Sequence, residues 1–188
     1  PYGNDMVIMN SIFYDNDSKD MDHGIRLEAS SASYSGEMRG LTLIGNTFYK
    51  PDDAALFLKY QGDASGKYYH LIMNNIVWGG DSSVTEAFEN IDTSHKAGFY
   101  IVNNAVGNCA NVTTNMPSGA SMVFGTITLE GDPFVDGDGR DFRINGTTSG
   151  AACKGVDYIT SFNGVTGSNQ ADLGAIRTSG LTERISVS

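Results

Sequence analysis

The chain has 188 residues, 40% of them apolar, and sets 12 basic against 22 acidic side chains for a net charge of −10. That length is enough for one domain with a packed core. The charge carries no Lys/Arg cluster for a phosphate backbone, and no apolar run is long enough to span a bilayer or resembles a signal peptide. Neither nucleic acid nor a membrane is therefore expected as a partner.

In chain order, the first predicted elements lie in VIMNSIFYDN (residues 7–16), two short apolar runs split by a polar pair, followed by GIRLEA (24–29). The same arrangement returns in TLIGNTFYKP (42–51) with ALFLKY (55–60), in LIMNNIVWGG (71–80) with EAFENI (86–91), and in YIVNNAVGNC (100–109). Aligned on the polar pair, Asn10-Ser11, Gly45-Asn46, Asn74-Asn75 and Asn103-Asn104 coincide, at steps of 35, 29 and 29 residues. The runs are short, β-branched or aromatic and bounded by Gly, Asn, Asp and Ser, which predicts strands rather than helices. Two or three strands per period of about 30 residues predict a parallel β-helix, in which each repeat buries its apolar face by stacking on the next. Asn at one corner of every coil then forms a hydrogen-bonded ladder and tolerates the left-handed backbone of a sharp turn. ASMVFGTITLE (120–130) reads as a further coil, and the Gly-, Ser- and Asp-rich remainder as a terminal cap. The organisation expected is thus residues 1–130 as coils and 131–188 as an irregular C-terminal closing segment. A repeat strand begins by Met6, which reads as a piece of a longer protein with coils missing upstream.

The φ-x-φ-x-N-N-x-φ repeats resemble those of right-handed parallel β-helix proteins, a family that includes pectate-lyase-like polysaccharide lyases and hydrolases and phage tailspikes. Residues 131–177 are similar to the closing segment of secreted bacterial members. Asp132-Pro133-Phe134-Val135-Asp136, Asp141-Phe142-Arg143-Ile144 and Asp172-Leu173-Gly174-Ala175 match that pattern, and Gly150 stands where proline is usual. The resemblance implies an all-β, right-handed parallel β-helix solenoid, and an extracellular or virion-surface protein whose partner is a polysaccharide. It is weakly specific for activity, because this fold hosts many functions.

Strand alternation sorts the side chains. Ile8, Leu43, Ile72 and Ile101 are expected inside, as are Met6, Leu41, His70 and Phe99, and Phe13, Phe48, Val77 and Val106. Outside lie an apolar stripe (Met9, Ile44, Met73, Val102, beside Val7, Thr42, Leu71 and Tyr100) and an aromatic row of Tyr14, Tyr49 and Trp78. The stripe suits a homo-oligomer, such as a trimer, or cover from elsewhere in a parent chain. The rings suit either a sugar-binding platform or a shield over the corner.

The densest set of ionisable groups accompanies the last strand of each repeat: Asp22, His23, Asp52 and Asp53 at its start, then Arg26, Glu28, Lys59 and Glu89 facing outward. A hydrolase needs two carboxylates, and a polyuronate lyase needs a base with a cation beside the sugar carboxylate. Asp22, His23 and Asp53 are the candidate catalytic residues; Tyr14, Tyr49, Trp78, Arg26 and Lys59 are the candidate substrate-binding ones. A plain solvated charged face is the competing reading. No metal site is assigned. The acidic loops at residues 15–22 and 136–141 invite calcium, but neither completes an EF-hand, and acidic surface loops are the plainer reading. Cys109 and Cys153 fit no metal spacing. They would form either a disulfide, suited to an oxidising compartment, or two buried thiols. The function expected is polysaccharide binding, with cleavage by a lyase or hydrolase mechanism as one form of it. The alternative is a structural virion or surface-assembly protein without catalysis.

Overall fold

The computed structural model describes residues 4–14, 22–28, 39–59, 69–91, 98–116, 122–153, 156–157, 170–171 and 173–175. Within them the strands recur in threes. The first repeat holds β1 (Asn4–Met9), β2 (Ile12–Tyr14) and β3 (His23–Glu28), and the second β4 (Arg39–Ile44), β5 (Thr47–Tyr49) and β6 (Ala54–Lys59). The third holds β7 (Tyr69–Met73), β8 (Ile76–Trp78) and β9 (Glu86–Asn90), and the fourth β10 (Gly98–Val102), β11 (Ala105–Gly107) and β12 (Asn111–Thr114). A fifth has β13 (Met122–Phe124) and β14 (Ile127–Leu129). Each sheet collects every third strand: sheet A runs β1-β4-β7-β10-β13, sheet B β2-β5-β8-β11-β14 and sheet C β3-β6-β9-β12. All of these pairings are parallel. The protein is an all-β structure of stacked parallel sheets, compatible with a β-helix.

The polar pairs divide their labour. The first member takes a left-handed backbone at every corner between sheets A and B: Asn10, Gly45, Asn74, Asn103 and Gly125 have φ of 51°, 63°, 56°, 57° and 65°. That region costs an ordinary side chain about 1–2 kcal/mol and is open to Gly and Asn. The second member points inward and builds the ladder. The Asn46 amide oxygen accepts Ser11 N–H at 3.0 Å, Asn75 accepts Asn46 N–H at 2.8 Å, and Asn104 accepts Asn75 N–H at 3.0 Å. Each side-chain NH2 then donates upward to a backbone carbonyl, of Ile8, Leu43 and Ile72 in turn.

Two cores result. One is enclosed by the three sheets: Leu41, Leu43, Ile72, Phe99 and Ile101 from sheet A, Phe48, Val77 and Val106 from sheet B, and Ile25, Leu56, Leu58 and Phe88 from sheet C. His70 is fully buried on this side, and its Nδ1 accepts the Leu41 N–H at 3.1 Å, so the ring is neutral with its proton on Nε2. The second core lies on the outer face of sheet B. There Tyr49, Ile76, Ala105 and Leu129 meet Phe134, Phe142, Ile144, Cys153 and Leu173 of the C-terminal segment.

That segment begins with the antiparallel pair β15 (Phe134–Asp136) and β16 (Asp141–Ile144), followed by α1 (Thr148–Ala152) and the short pair β17 (Val156–Asp157) and β18 (Gln170–Ala171). Gly174, at φ 77°, donates its N–H to Asn74 O, and Ala175 N–H donates to Thr47 Oγ1. Residues 134–153 and 173–175 therefore lie along the flank of sheet B. At the fifth repeat Val123, in register with the buried Ile101, is 47% exposed.

Candidate functional site

The outer face of sheet C gathers charged and aromatic groups because its strands bend. Ala55 and Leu56 are consecutive yet both enter the interior core, as do Ala87 and Phe88. A Cβ on Gly24 would stand 2.6 Å from the Phe48 ring, so that position also faces inward and only glycine fits it. The bend leaves two outward rows three residues apart: His23, Ala54 and Glu86, then Arg26, Phe57 and Glu89. Strict alternation places such rows on opposite faces.

His23 lies across Phe57, with ring centroids 4.2 Å apart, and Arg26 covers the same phenyl at 5.0 Å. The His23 side chain is 5% exposed, and its Nδ1 stands 3.6 Å from Asp53 Oδ2, whose side chain is 54% exposed. That separation is too long for a hydrogen bond. Neither His23 ring nitrogen has a hydrogen-bond partner among the described residues. Leaving a buried nitrogen unpaired costs about 1–3 kcal/mol, which makes this ring an exception that calls for a cause.

Glu89 joins the set through charge. Its carboxyl is held above the usual range by burial first, then by Asp53 and Glu86, while His23 pulls the other way. Glu86 itself is braced by the next repeat, accepting from Asn111 Nδ2 at 3.0 Å and from the Thr114 hydroxyl. The backbone fixes the stack: Asp22 O accepts the N–H groups of Asp53 and Ala54, and Asp53 O accepts that of Glu86. Of the candidate catalytic residues, the structure thus brings His23 and Asp53 together, while the exposed Asp22 serves through its backbone carbonyl. Lys59, half-buried, lies farther along β6 in register with Glu28. Sequence reading saw Glu89 as one more outward charge. The signal that could have singled it out is its place opposite Phe57, an apolar neighbour that strips water from a carboxylate.

The aromatic row has a different setting. Tyr49 is 4% exposed and sits edge-on to Phe134 and Phe142, with centroids 5.7 and 5.5 Å away. Its hydroxyl is within hydrogen-bond distance of Asp132 (3.0 Å) and Asp138 (3.2 Å), and burial with these two carboxylates pushes its pKa well above the usual phenol value. Tyr14 packs on Phe142, with Arg140 over its ring, and Trp78 lies against the second core and over Gly107. Tyr49 accordingly has no open face for a sugar.

Of the two acidic loops, the first lies outside the described residues apart from Asp22. In the second, Asp136 accepts the Gly139 N–H, Asp138 pairs with Lys50 at 2.6 Å, and Asp141 pairs with Arg143. Among the described residues no three His, Cys, Asp or Glu side chains form a metal-ligating group. No disulfide joins Cys109 and Cys153; one packs against the inner core and the other lies in the outer. Burial pushes the Cys109 thiol up to about 12, so it stays protonated and unreactive at neutral pH.

No protein-family model matches this chain, and no curated protein or solved structure gives a significant match to it. The sequence resemblance to the pectate-lyase-like β-helices therefore rests on the motifs themselves.

Proposed function

We propose that this chain belongs to an extracellular right-handed parallel β-helix protein, and that it binds a polysaccharide along the outer face of sheet C and cleaves it there. The observation that carries this reading is His23: buried, unpaired at both nitrogens, and turned to a half-exposed carboxylate. In a hydrolytic reaction, Glu89, whose raised pKa favours the protonated form, is the acid and Asp53 the base or nucleophile. A lyase would instead use His23 as base and Arg26 to neutralise a uronate. The neighbouring carboxylates of Asp53 and Glu86 would repel that uronate and favour the hydrolytic form. Release of reducing ends from a panel of neutral, amine-bearing and uronate polymers tests the reading. Asp53→Asn should lower the rate by about a hundredfold or more, the effect of losing an acid or base. Retention of any of these polymers without cleavage would leave a binding protein; retention of none removes the reading.

A second reading has its own observation. The outer rows of sheet A stay in register over five strands, Met9-Ile44-Met73-Val102-Phe124 and Val7-Thr42-Leu71-Tyr100-Met122. At the two ends Val7, Met9, Met122 and Phe124 are 51–62% exposed. In this reading the face joins copies of a virion or surface-assembly protein, with a trimer as the proposed form.

A further inference from the structure

We infer that two copies of this chain join end to end, the open edge of β13 in one pairing antiparallel with β13 of the other. Among the described residues sheet A stops at β13, and all three residues of that strand, Met122, Val123 and Phe124, are exposed. An open edge strand is a template for another chain, and charged side chains or proline normally blunt it. This one carries neither. Residues 97–129 supply the described strands of the fourth and fifth repeats, and they hold no Asp, Glu, Lys, Arg or His in a chain that is 18% charged. The net charge of −10 therefore comes entirely from other parts of the molecule. A charged partner would find no counter-charge at this end. Like copies, in contrast, repel least where this end of one meets the same end of another, which makes a second copy the occupant.

The strand is self-complementary about its centre. Phe124 O accepts the Asn103 N–H at 2.8 Å, so Phe124 turns its backbone groups toward β10. Alternation then turns the N–H and C=O of Val123 outward, to the open edge. A two-fold axis at Val123 pairs that residue with its own copy through two N–H···O bonds and sets Met122 opposite Phe124 on either side. The side chains agree with this register. Val123 continues the inward stack of Ile8, Leu43, Ile72 and Ile101, and while Ile101 is fully buried Val123 awaits the cover its copy brings. Met122 and Phe124 carry the outer apolar rows across the joint. The ends also match in outline, since sheets A and B have five strands and sheet C four. Because the second copy's β13 runs the opposite way, its β14 lies on the side where sheet C stops one strand early. The joint closes on itself and is distinct from association through the outer face of sheet A.

The test uses the full chain, by light scattering over a concentration series and by cross-linking. The mass should rise to that of two chains. Val123→Pro removes the N–H that faces away from β10 and should return the mass to one chain, with the thermal unfolding transition in place. Val123→Lys, which sets a charge on the edge, should do the same. Met9→Lys, on β1 at the far end of sheet A, should leave the pair intact. Val123→Cys checks the axis itself, because opposed residues of a hydrogen-bonded antiparallel pair have Cα atoms about 5.5 Å apart, within disulfide range. Mild oxidation should link Val123→Cys into covalent dimers. The parent, with Cys109 and Cys153 alone, should stay single, as should Met122→Cys, equally exposed but set opposite Phe124. A single chain at every concentration overturns the inference, as does a pair that survives both Val123→Pro and Val123→Lys. An assembly lost with Met9→Lys and kept with Val123→Lys assigns association to the outer face instead. An intact pair that Val123→Cys does not cross-link puts the axis elsewhere and also overturns it.

Discussion

Asn74 and Asn75 are neighbours of one residue type with opposite duties. Asn75 is fully buried, its oxygen accepting both Asn46 N–H and Asn46 Nδ2, and its NH2 donating to Leu43 O and Asn104 Oδ1. Alanine there strands several buried partners at about 1–3 kcal/mol each, so Asn75→Ala should lose about 3 kcal/mol or more in urea denaturation. Asn74 is chosen instead for its backbone, at φ 56°. Asn74→Gly should stay within about 1 kcal/mol of the parent, whereas Asn74→Val, β-branched in that region, should lose clearly more. Equal losses at the two positions would refute this division. The site shows the same residue-level logic with the opposite sign. The Glu89 pKa is raised in the folded state, so folding favours its protonated form, and the carboxylate weakens the fold as pH rises from the unfolded value through the folded one. Glu89→Gln should therefore raise the melting temperature at pH 7 relative to the parent, with the gain shrinking toward pH 4. A melting temperature equally lowered at both pH values would mean that Glu89 is structural.

At the scale of elements, the turn between β15 and β16 is a clasp on sheet B. Gly137 lies so close to Tyr49 that a Cβ would stand 2.3 Å from its ring. Lys50, itself left-handed at φ 52°, reaches across to Asp138 and holds that carboxyl below its usual pKa. Gly137→Ala must push the turn off the ring at an overpacking cost of about 1–3 kcal/mol. Gly146→Ala, with nothing within 4 Å of the new methyl, should cost far less. Thermal unfolding followed by near-ultraviolet dichroism of the tyrosines would separate the two; a silent Gly137→Ala would mean the clasp is loose. The strands and inward stacks were legible because an Asn-bearing polar pair recurs every 29 to 35 residues, and aligning these pairs sets one register on every sheet. The clasp was not legible. Nothing in the spacing of Tyr14, Tyr49 and Trp78 says that Phe134 and Phe142, far along the chain, will pack on the two tyrosines. The bend that joins His23 to Arg26 on one face was hidden for a related reason: alternation counts residues, and only contact with Phe48 shows Gly24 turning inward.

For the whole molecule, two surfaces compete to explain the protein, and salt tests one of them. Association through sheet A brings together chains that each carry a net charge of −10, so screening should strengthen it. The apolar ends of its outer rows, Met9 on β1 and Phe124 on β13, are 51% and 62% exposed, and burying them is the gain that would offset this repulsion. If the face joins copies, light scattering should give a mass above one chain that rises with salt. Met9→Lys combined with Phe124→Lys should return it to a single chain, since two ammonium groups would be trapped in an apolar seam. Neither substitution touches a core residue, so the unfolding transition should hardly move. A monomer at every salt concentration, or an assembly indifferent to the double substitution, would strip sheet A of this role and leave the outer face of sheet C as the working surface.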